Sequence, residues 1–432
     1  MATFLQALYL ADPAIERAVS TTLFDIFGMH LRLDVSALSR VVLRVGDAAL
    51  LDVPGEPRLG RRQFETYPSL DEQGDGLRSF ATVLLAIRTL QRPIVLLDEP
   101  EAFLPPPQAY RLGRLLSEAS QNHQLIIATH DTNLLRGILD AGREPLILRM
   151  TREGIVNPTR AVSVDRLRQI GSDALLQSAR VLDGLFYEGV VVTEADGDRA
   201  FYAMIAGRLS DGAGIHFTNA HGKQAIRLVV DAYRDIGIPV ASIVDLDLLR
   251  DLAEFKTLLE AHGVTPEVVD RVVSERSRLA TKVSPQPMGR QLEKALVRTR
   301  EVLDAEERSS DDPSERLARF RRFIEQLRRE ADPWHIVKER GTQAFGELEE
   351  AARRLLKDLR AFGLFLVPCG ELEGWLPEYN LPKQKRDWIA RALPIVRGAQ
   401  PDLDVEPWTF VRDVLTHLKV PLPCIPERTE PS

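Results

Sequence analysis

The sequence predicts an α/β protein with two parallel sheets and a helical insertion. In two regions, residues 78–148 and 189–244, short apolar runs alternate with stretches of helical periodicity. Uninterrupted apolar runs are typical of parallel strands, because helices cover both faces of such a sheet. Strands that alternate with helices indicate α/β architecture. The predicted strands are residues 94–97, 125–128, 146–148, 190–192, 215–218, 239–244 and 364–367, and the predicted helices are residues 78–90, 108–120, 132–141, 198–209 and 223–237.

A different pattern covers residues 248–360, where long stretches rich in Leu, Arg and Glu are interrupted at residues 284–287 and 311–313. We interpret this region as a helical insertion. Between residues 290 and 330 its acidic and basic residues nearly cancel, which favours a solvated surface held by ion pairs. The alternative is a face that contacts DNA, because four arginines can share one side of a helix. These arginines are Arg316, Arg319, Arg322 and Arg329.

Composition and charge exclude several classes of protein. The 432 residues are 44% hydrophobic and 28% charged, as expected for a globular protein of two or three domains. There are 56 Lys and Arg against 63 Asp and Glu, a net charge of −7, so any contact with nucleic acid is expected to be local. Two cysteines exclude a disulfide framework and a Cys-rich zinc site. Without an apolar run of about 20 residues, we expect a soluble, cytoplasmic protein that does not enter a membrane.

Residues suited to nucleotide chemistry follow two predicted strands of the N-terminal region. The strand at residues 94–97 runs into Asp98 and Glu99, at the strand end where α/β folds bind ligands. Asp98 is the candidate for holding Mg²⁺, and Glu99 is the candidate base for the water that attacks a γ-phosphate. His130 follows the next strand and could contact the same phosphate. The structural alternative is that these residues only cap their strands.

A glycine-containing turn begins the first predicted helix of this region. Gly74, Gly76 and Ser79 lie there, where free backbone N–H groups at a helix N-terminus accept phosphate. With the strand motifs, residues 74–138 resemble ABC-type ATPases, especially the branch shared by DNA-repair and SMC-like proteins. The resemblance implies that the turn is the signature motif, which acts on ATP held by the opposite subunit, and that His130 is the switch histidine.

One motif of that family is missing from the sequence. No Gly-x-x-x-x-Gly-Lys-Ser/Thr loop, the Walker A motif, is present, although this loop cradles the β- and γ-phosphates. The remaining motifs are compatible with ATP binding, but we do not expect this chain to hydrolyse ATP alone. Three explanations stay open: the chain is a truncated form, the missing half comes from another polypeptide, or the domain has lost its enzymatic activity.

A second set of acids follows two strands of the C-terminal half. The strand at residues 190–192 leads to Glu194 and Asp198, and Asp245 and Asp247 follow the strand that ends at Val244. Parallel strands present such carboxylates at one edge of the sheet, and Asp-x-Asp places both acids on one face. Clustered carboxylate oxygens suit Mg²⁺ or Mn²⁺. The sequence therefore predicts a site for divalent metal ions.

These four acids resemble the Toprim motifs of topoisomerases, primases and certain nucleases, which are Glu-Gly-x-x-Asp after one strand and Asp-x-Asp after a later one. Ala195 replaces the glycine of the first motif, and the second motif matches without change. An ABC-type half followed by Toprim resembles the OLD (overcoming lysogenization defect) family of nucleases, in particular its second class and the endonuclease of the Gabija phage-defence system. The resemblance covers residues 74–393.

This resemblance implies four regions and further site residues. Glu371 and Glu373 are candidate ligands of a second metal site, with Glu373 also a catalytic candidate. Lys383 or Lys385 would stabilise charge on the scissile phosphate, and we favour Lys385, although spacing alone does not choose between them and ordinary surface charge is the alternative. Lys223 begins a helix and could contact a DNA phosphate or simply follow a turn. The implied regions are a partial ABC-type ATPase domain (1–165), the first part of Toprim (166–250), the helical insertion (251–360) and the rest of Toprim with C-terminal helices (361–432).

The sequence therefore predicts a DNA endonuclease that nicks or cleaves by two-metal phosphodiester hydrolysis with Mg²⁺ or Mn²⁺. The ATPase-like half would serve as a dimerisation and regulatory platform, giving a homodimer or larger homo-oligomer. The resemblance also implies a helicase partner and a role in anti-phage defence or DNA repair. One alternative is a non-nuclease, ATP-sensing assembly protein of the SMC or RecF kind. Another is a topoisomerase-like fragment, which would need Tyr187 or Tyr202 as its nucleophile.

Overall fold

Two units divide the chain in this computed structural model. Unit 1 consists of Met1–Arg149 and Ala161–Gly171, and unit 2 of Met150–Arg160 and Ser172–Ser432. Residue 165, the expected domain boundary, therefore lies within unit 1. The residues described by the structure are 4–36, 41–55, 57–89, 93–152, 154–178, 180–210, 214–283, 288–308 and 312–420.

Helices and short strands alternate in the N-terminal part of the chain. Helix α2 illustrates how local sequence fixes an element, because the side chain of Asp12 caps its first turn, proline begins it, and Gly28 ends it in the left-handed conformation. In chain order the elements up to residue 172 are α1 (Phe4–Leu10), α2 (Pro13–Phe27), β1 (His30–Asp34), β2 (Val42–Gly46), a 3₁₀ turn (Ala48–Asp52), α3 (Pro57–Phe64), a 3₁₀ turn (Leu70–Glu72), α4 (Asp75–Thr89), β3 (Ile94–Asp98), α5 (Pro106–Ala119), β4 (Gln124–Ala128), α6 (Thr132–Asp140), β5 (Ile147–Met150), β6 (Thr159–Val162) and α7 (Val164–Ser172).

Strands β3 and β4 form a parallel pair that is covered on one face. Leu97 and Leu125 pack on the core of unit 1, whereas Ile94, Leu96 and Ile126 are 54%, 72% and 54% exposed. The prediction that helices cover both faces is therefore wrong for this pair. An apolar run indicates only that its side chains are able to be buried. Among the described residues, no element packs over the second face of this pair.

Helices α5 and α6 approach each other at backbone contact. A Cβ atom at Gly113 would lie 2.2 Å from the carbonyl oxygen of Leu134, and one at Gly137 would lie 2.0 Å from the carbonyl oxygen of Tyr110. Only glycine leaves room for this crossing. The parallel pairing of β3 with β4 sets Asp98 opposite Ala128, which places the ends of these strands next to each other.

The Toprim-like half begins after a short helix and a 3₁₀ turn. The prediction of a helical segment between the last two strands of its sheet is confirmed by helices α11 to α16. In chain order the elements are α8 (Ala174–Ser178), a 3₁₀ turn (Val181–Phe186), β7 (Gly189–Thr193), α9 (Asp196–Ser210), β8 (Ile215–Asn219), α10 (Lys223–Asp235), β9 (Val240–Val244), a 3₁₀ turn (Leu246–Arg250), α11 (Leu252–Ala261), α12 (Pro266–Val283), α13 (Met288–Arg308), α14 (Pro313–Ala331), α15 (His335–Arg340), a 3₁₀ helix (Gly341–Leu348), α16 (Glu349–Arg360), β10 (Leu364–Leu366), 3₁₀ turns (Leu372–Gly374 and Pro377–Tyr379), α17 (Lys385–Gly398) and α18 (Trp408–His417).

A four-stranded parallel sheet organises unit 2. Its strand order is β10-β9-β7-β8, and every residue of β7, β9 and β10 is buried. The expectation of parallel strands covered on both faces is confirmed here. On one face, Phe201, Trp388 and Phe410 belong to a core formed with α9, α17 and α18. In the register of β7 and β9, Thr193 lies opposite Ile243, so the residues that follow these two strands meet at one edge of the sheet.

Ion pairs hold part of the helical insertion. Glu306 pairs with Arg319 at 2.8 Å and with Arg316 at 3.5 Å, and the side chain of Arg322 donates to the carbonyl oxygen of Ala318. This pairing supports the solvated, ion-paired surface over a DNA-contacting face. The side chain of Arg329 and the predicted interruption at residues 284–287 lie outside the described residues, whereas α14 begins at Pro313 within the predicted interruption at residues 311–313. None of the described helices combines the length and hydropathy needed to cross a membrane.

Candidate active site

Glu194 and Asp245 meet at the edge of the sheet in unit 2. Glu194 follows β7 and Asp245 follows the adjacent strand β9. The backbone N–H of Asp245 donates a hydrogen bond of 3.0 Å to Oε1 of Glu194. The fold therefore brings together the first acids of the two predicted motifs, as adjacent parallel strands require.

Asp198 joins this cluster from the first turn of α9. Its Oδ2 accepts hydrogen bonds of 3.0 Å from the backbone N–H of Ala195 and from the Lys385 ammonium. Its Oδ1 also lies 3.0 Å from the Lys385 Nζ but accepts no hydrogen bond. Asp198 thus holds the turn after β7 and pairs through both carboxylate oxygens with Lys385.

Burial makes the carboxylates of this cluster costly to ionise. It raises the pKa of Glu194 to about 7, with repulsion from Asp245 as the second cause. Burial and repulsion from Asp198 raise the pKa of Asp245 to about 6. Burial alone would lower the pKa of Lys385, but the charges of Asp198 and Asp245 raise it above its usual value. These shifts show that the carboxylates lie within electrostatic reach of one another and that a cation would stabilise them.

Two further lysines contact Asp247. The Lys223 ammonium contacts Oδ1 of Asp247 and lies 3.8 Å from Oε1 of Glu194, and the Lys338 ammonium lies 2.9 Å from Oδ2 of Asp247. Sequence reasoning singled out Lys223 for its place at the start of a helix but missed Lys338. Lys338 belongs to α15 in the helical insertion, and no local pattern distinguishes it from the many other charged residues there.

The loop after β10 approaches the same acids. The backbone N–H of Leu246 donates to the carbonyl oxygen of Gly370 at 2.8 Å, which joins this loop to the Asp-x-Asp segment. Burial raises the pKa of Glu371 and of Glu373, and the charges of Asp245 and Asp198 contribute at Glu373. Glu373 is therefore within electrostatic reach of Asp245 and Asp198, whereas the acid that acts on Glu371 is Glu373.

The two candidate lysines near the start of α17 differ in position. Lys385 contacts Asp198, as described above. Lys383 is 81% exposed and pairs with Glu339 at 3.2 Å. The structure therefore brings Lys385, and not Lys383, to the acids. This distinction depends on the helix that begins at Lys385, whose first turn faces α9.

The chemistry of the donors fits a hard divalent cation. Asp198 offers a buried carboxylate and Glu194 and Asp245 offer half-buried ones, and desolvation makes the last two costly to ionise, as their raised pKa values indicate. Across the ranges that the structure describes, no three His, Cys, Asp or Glu side chains surround one point closely enough to hold an ion by themselves. Mg²⁺ commonly binds through one or two carboxylates and several waters, so these residues suit an ion whose remaining ligands are water and substrate.

The two tyrosines of the topoisomerase alternative differ in exposure, and Tyr202 is buried with its hydroxyl engaged. Tyr202 is 1% exposed, and its hydroxyl accepts a hydrogen bond of 2.9 Å from Nε1 of Trp375. Burial raises the pKa of Tyr202 well above its ordinary value, so its hydroxyl stays protonated. Tyr187 is 39% exposed, and its ring packs 5.0 Å from that of His216.

The residues predicted to act on a nucleotide lie together at the ends of β3 and β4 in unit 1. Glu99 Oε1 lies 3.1 Å from His130 Nδ1, and both side chains are exposed. Asp98 is the last residue of β3 and is also exposed. Glu99 has a φ of 44°, a left-handed conformation that is uncommon for a residue with a Cβ atom. The two strand motifs therefore form one exposed acid–histidine edge.

The glycine turn differs from its prediction in one respect. Helix α4 begins at Asp75, three residues before the predicted start, so Gly76 and Ser79 lie inside its first turns and Gly74 directly precedes it. Asp75 favours this earlier start, because an acid stabilises a helix N-terminus and because it pairs with Arg78 at 3.0 Å. A Cβ atom at Gly76 would lie 2.7 Å from the carbonyl oxygen of Phe103, which accounts for glycine there.

Two family models match the chain. One is described as "AAA domain, putative AbiEii toxin, Type IV TA system" and matches residues 38–136, and the other is described as "Overcoming lysogenization defect protein-like, TOPRIM domain" and matches residues 185–247. No curated protein matches. A solved structure titled "Structural biochemistry of ATP-driven dimerization and DNA stimulated activation of SMC ATPases" is 15% identical, with 36% of this chain and 91% of that chain covered and a TM-score of 0.26. The chain therefore carries an AAA-type ATPase-like domain followed by an OLD-like Toprim domain, which is the architecture of the OLD family of nucleases.

Proposed function

We propose that this protein is a DNA endonuclease that hydrolyses phosphodiester bonds with Mg²⁺ or Mn²⁺ bound at the acids after β7 and β9. The supporting observation is the meeting of Glu194 with Asp245, two half-buried acids from adjacent strand ends whose pKa values are raised toward neutrality. Such a pair is stabilised by a divalent cation, and a cation at this edge of an OLD-like Toprim sheet suits nucleic-acid hydrolysis.

Each side chain has a distinct part in this proposal. Glu194, Asp198 and Asp245 would bind the cation, and Glu373 lies within electrostatic reach to add a ligand. Lys385 holds Asp198 in place and contributes positive charge next to the substrate phosphate. When bound, divalent ions would polarise a water molecule and neutralise charge on the reacting phosphate.

Plasmid cleavage tests this function. Supercoiled plasmid incubated with the full chain should be nicked or linearised in Mg²⁺ or Mn²⁺ but not in EDTA, and Asp245→Ala should reduce the rate by about 100-fold or more. Asp270→Ala, which changes an exposed acid of α12, is the matched control and should cleave at the wild-type rate. Equal plasmid stability in every reaction would overturn the nuclease proposal and favour the non-nuclease, ATP-sensing alternative.

We also propose that the ATPase-like half acts as a dimerisation and regulatory platform. The acid–histidine edge of Glu99 and His130 is exposed, so a nucleotide or a second subunit can reach it. Light scattering after size exclusion, with and without ATP, measures the assembly directly. A monomer under both conditions would overturn this part.

The role in phage defence or DNA repair stays a prediction, which phage plating on cells with wild-type or Asp245→Ala protein can test.

A further inference from the structure

Asp247 differs from the other acids of the cluster in its partners. Each of its two oxygens contacts a separate ammonium group, Lys223 at Oδ1 and Lys338 at Oδ2, and its side chain is 12% exposed. By contrast, within the described residues no lysine or arginine lies at ion-pair distance from the Asp245 carboxylate. Both oxygens of Asp247 are thus engaged by lysines, whereas those of Asp245 are not.

The two lysines come from different parts of the chain, and the local fold fixes the position of the backbone at each of them. Lys223 is the first residue of α10, directly after Gly222, whose φ is 135°. Lys338 lies in α15, and a Cβ atom at Gly370 would approach its carbonyl oxygen to 2.2 Å, so the loop after β10 packs directly on the Lys338 backbone. Asp247 therefore ties the helical insertion to the strand edge through Lys338 and ties α10 to it through Lys223.

The free donors of these lysines point to a phosphate ligand. An ammonium group carries three N–H donors, and contact with one oxygen of Asp247 occupies one of them. The Lys223 and Lys338 side chains are 22% and 35% exposed, so solvent or a substrate can reach them. The remaining N–H donors of the two ammonium groups can bind the oxygens of a phosphodiester.

We propose that Asp247 is a positioning residue and not a metal ligand, and that it holds Lys223 and Lys338 as a clamp for a DNA backbone phosphate beside Glu194 and Asp245. This inference rests on the proposed nuclease function, because it assigns DNA as the source of the phosphate. It departs from the expectation that both acids of the Asp-x-Asp motif bind metal. Its tests measure binding, so their outcome does not depend on whether cleavage occurs.

Metal binding separates the two acids of the motif. Titration of the full chain with Mn²⁺, followed by electron paramagnetic resonance, should show that Asp245→Asn lowers the affinity by more than about tenfold, whereas Asp247→Asn changes it by less than about threefold. Asp270→Asn serves as the control for loss of one acidic charge. An equal loss of affinity in Asp245→Asn and Asp247→Asn would overturn the assignment of Asp247.

DNA binding tests the clamp. Fluorescence anisotropy with a labelled duplex in EDTA should show that Lys338→Gln weakens binding and lowers the slope of log K against log salt concentration by about one. Lys256→Gln, which neutralises an exposed lysine of α11, should change neither. Asp247→Asn gives the sharpest result, because loss of a negative charge alone would strengthen DNA binding, whereas loss of the anchor for both lysines weakens it. Tighter binding by Asp247→Asn, or an unchanged slope in Lys338→Gln, would overturn the clamp.

Two further results keep the tests independent. Thermal melting identifies any variant that does not fold, and Lys338→Gln, with its partly exposed side chain, then carries the DNA test alone. If the wild-type chain binds Mn²⁺ and DNA as expected but cleaves no plasmid, the proposed function is overturned and the clamp stands. If the wild-type chain cleaves plasmid and Asp247→Asn lowers the Mn²⁺ affinity as much as Asp245→Asn does, the clamp is overturned and the proposed function stands.

Discussion

A hydrogen bond of 3.0 Å joins the backbone N–H of Asp245 to the side chain of Glu194, two residues that are 51 positions apart in the sequence. It fixes the half-buried carboxylate of Glu194 at the end of β9, next to Asp198 and Asp245. The same arrangement that gathers the acids also makes them costly to ionise. The candidate site therefore lowers the free energy of unfolding when no cation is bound.

Substitution of Glu194 by glutamine should therefore separate activity from stability. Glu194→Gln retains a carbonyl oxygen for the Asp245 N–H but removes a half-buried carboxylate whose pKa is raised to about 7. We expect metal-dependent plasmid cleavage to fall by about 100-fold or more, while unfolding in EDTA at pH 8 becomes more difficult by up to about 3 kcal/mol. Urea denaturation followed by circular dichroism measures the second effect. A variant that is both inactive and less stable would contradict this account.

The stability of the metal-free protein should depend on pH in a definite direction. The pKa values of Glu194 and Asp245 are raised to about 7 and about 6 from ordinary values of 4.5 and 3.8. Between the ordinary and the raised values the folded chain binds more protons than the unfolded chain, so this contribution to stability is complete below the ordinary values and is lost as pH rises through the raised ones. Melting temperatures in EDTA should thus fall between about pH 5 and pH 8. Glu194→Gln should flatten the profile, and a profile that rises in the wild type would refute this origin.

Tyr202 should be a structural residue. Its hydroxyl accepts a hydrogen bond from the buried indole N–H of Trp375, and Tyr202→Phe leaves that donor without its partner. We expect a loss of about 1–3 kcal/mol in the free energy of unfolding. Denaturing gels after incubation with DNA and Mg²⁺ should show no covalent DNA adduct with the wild type, Tyr202→Phe or Tyr187→Phe. An adduct that disappears in one of these variants would instead support the topoisomerase-like alternative.

Close contact between α5 and α6 should make their glycines sensitive to substitution. Gly113→Ala and Gly137→Ala each place a methyl group about 2 Å from a carbonyl oxygen of the other helix and should lower the stability of unit 1 by about 1–3 kcal/mol. Gly207→Ala in α9 is a matched control, because no atom lies within 4 Å of the added methyl group. That variant should be neutral or stabilising by about 1 kcal/mol. Calorimetry that shows equal effects at all three positions would contradict the backbone contact between these two helices.

The chain alone should not hydrolyse ATP. Its sequence lacks the Gly-x-x-x-x-Gly-Lys-Ser/Thr loop that cradles the β- and γ-phosphates in such ATPases. Phosphate release with Mg²⁺ and ATP should equal the background rate for the wild type and for Glu99→Gln. Release by the wild type that is lost in Glu99→Gln would show that another part of the chain supplies the cradle.

Several features of the fold and the candidate site could be predicted from the sequence. The strands of unit 2 and the acids that follow them were found from short apolar runs with polar ends, because the residues of a buried strand are contiguous and their chemistry is visible locally. The position of Glu194 beside Asp245 also followed from this pattern. Parallel strands that are neighbours in a sheet bring their carboxyl ends to the same edge, whatever the length of the connection between them.

The identity of the cations around these acids was decided only by tertiary structure. Lys338 reaches Asp247 from the helical insertion, and Lys385 but not Lys383 reaches Asp198. The exposed face of β3 and β4 also contradicts what the apolar runs predicted. In each case the property depends on which distant segment packs against a residue. Hydrophobic periodicity records what a segment is able to bury, whereas ion pairing, exposure and pKa are set by the neighbours that the whole fold supplies.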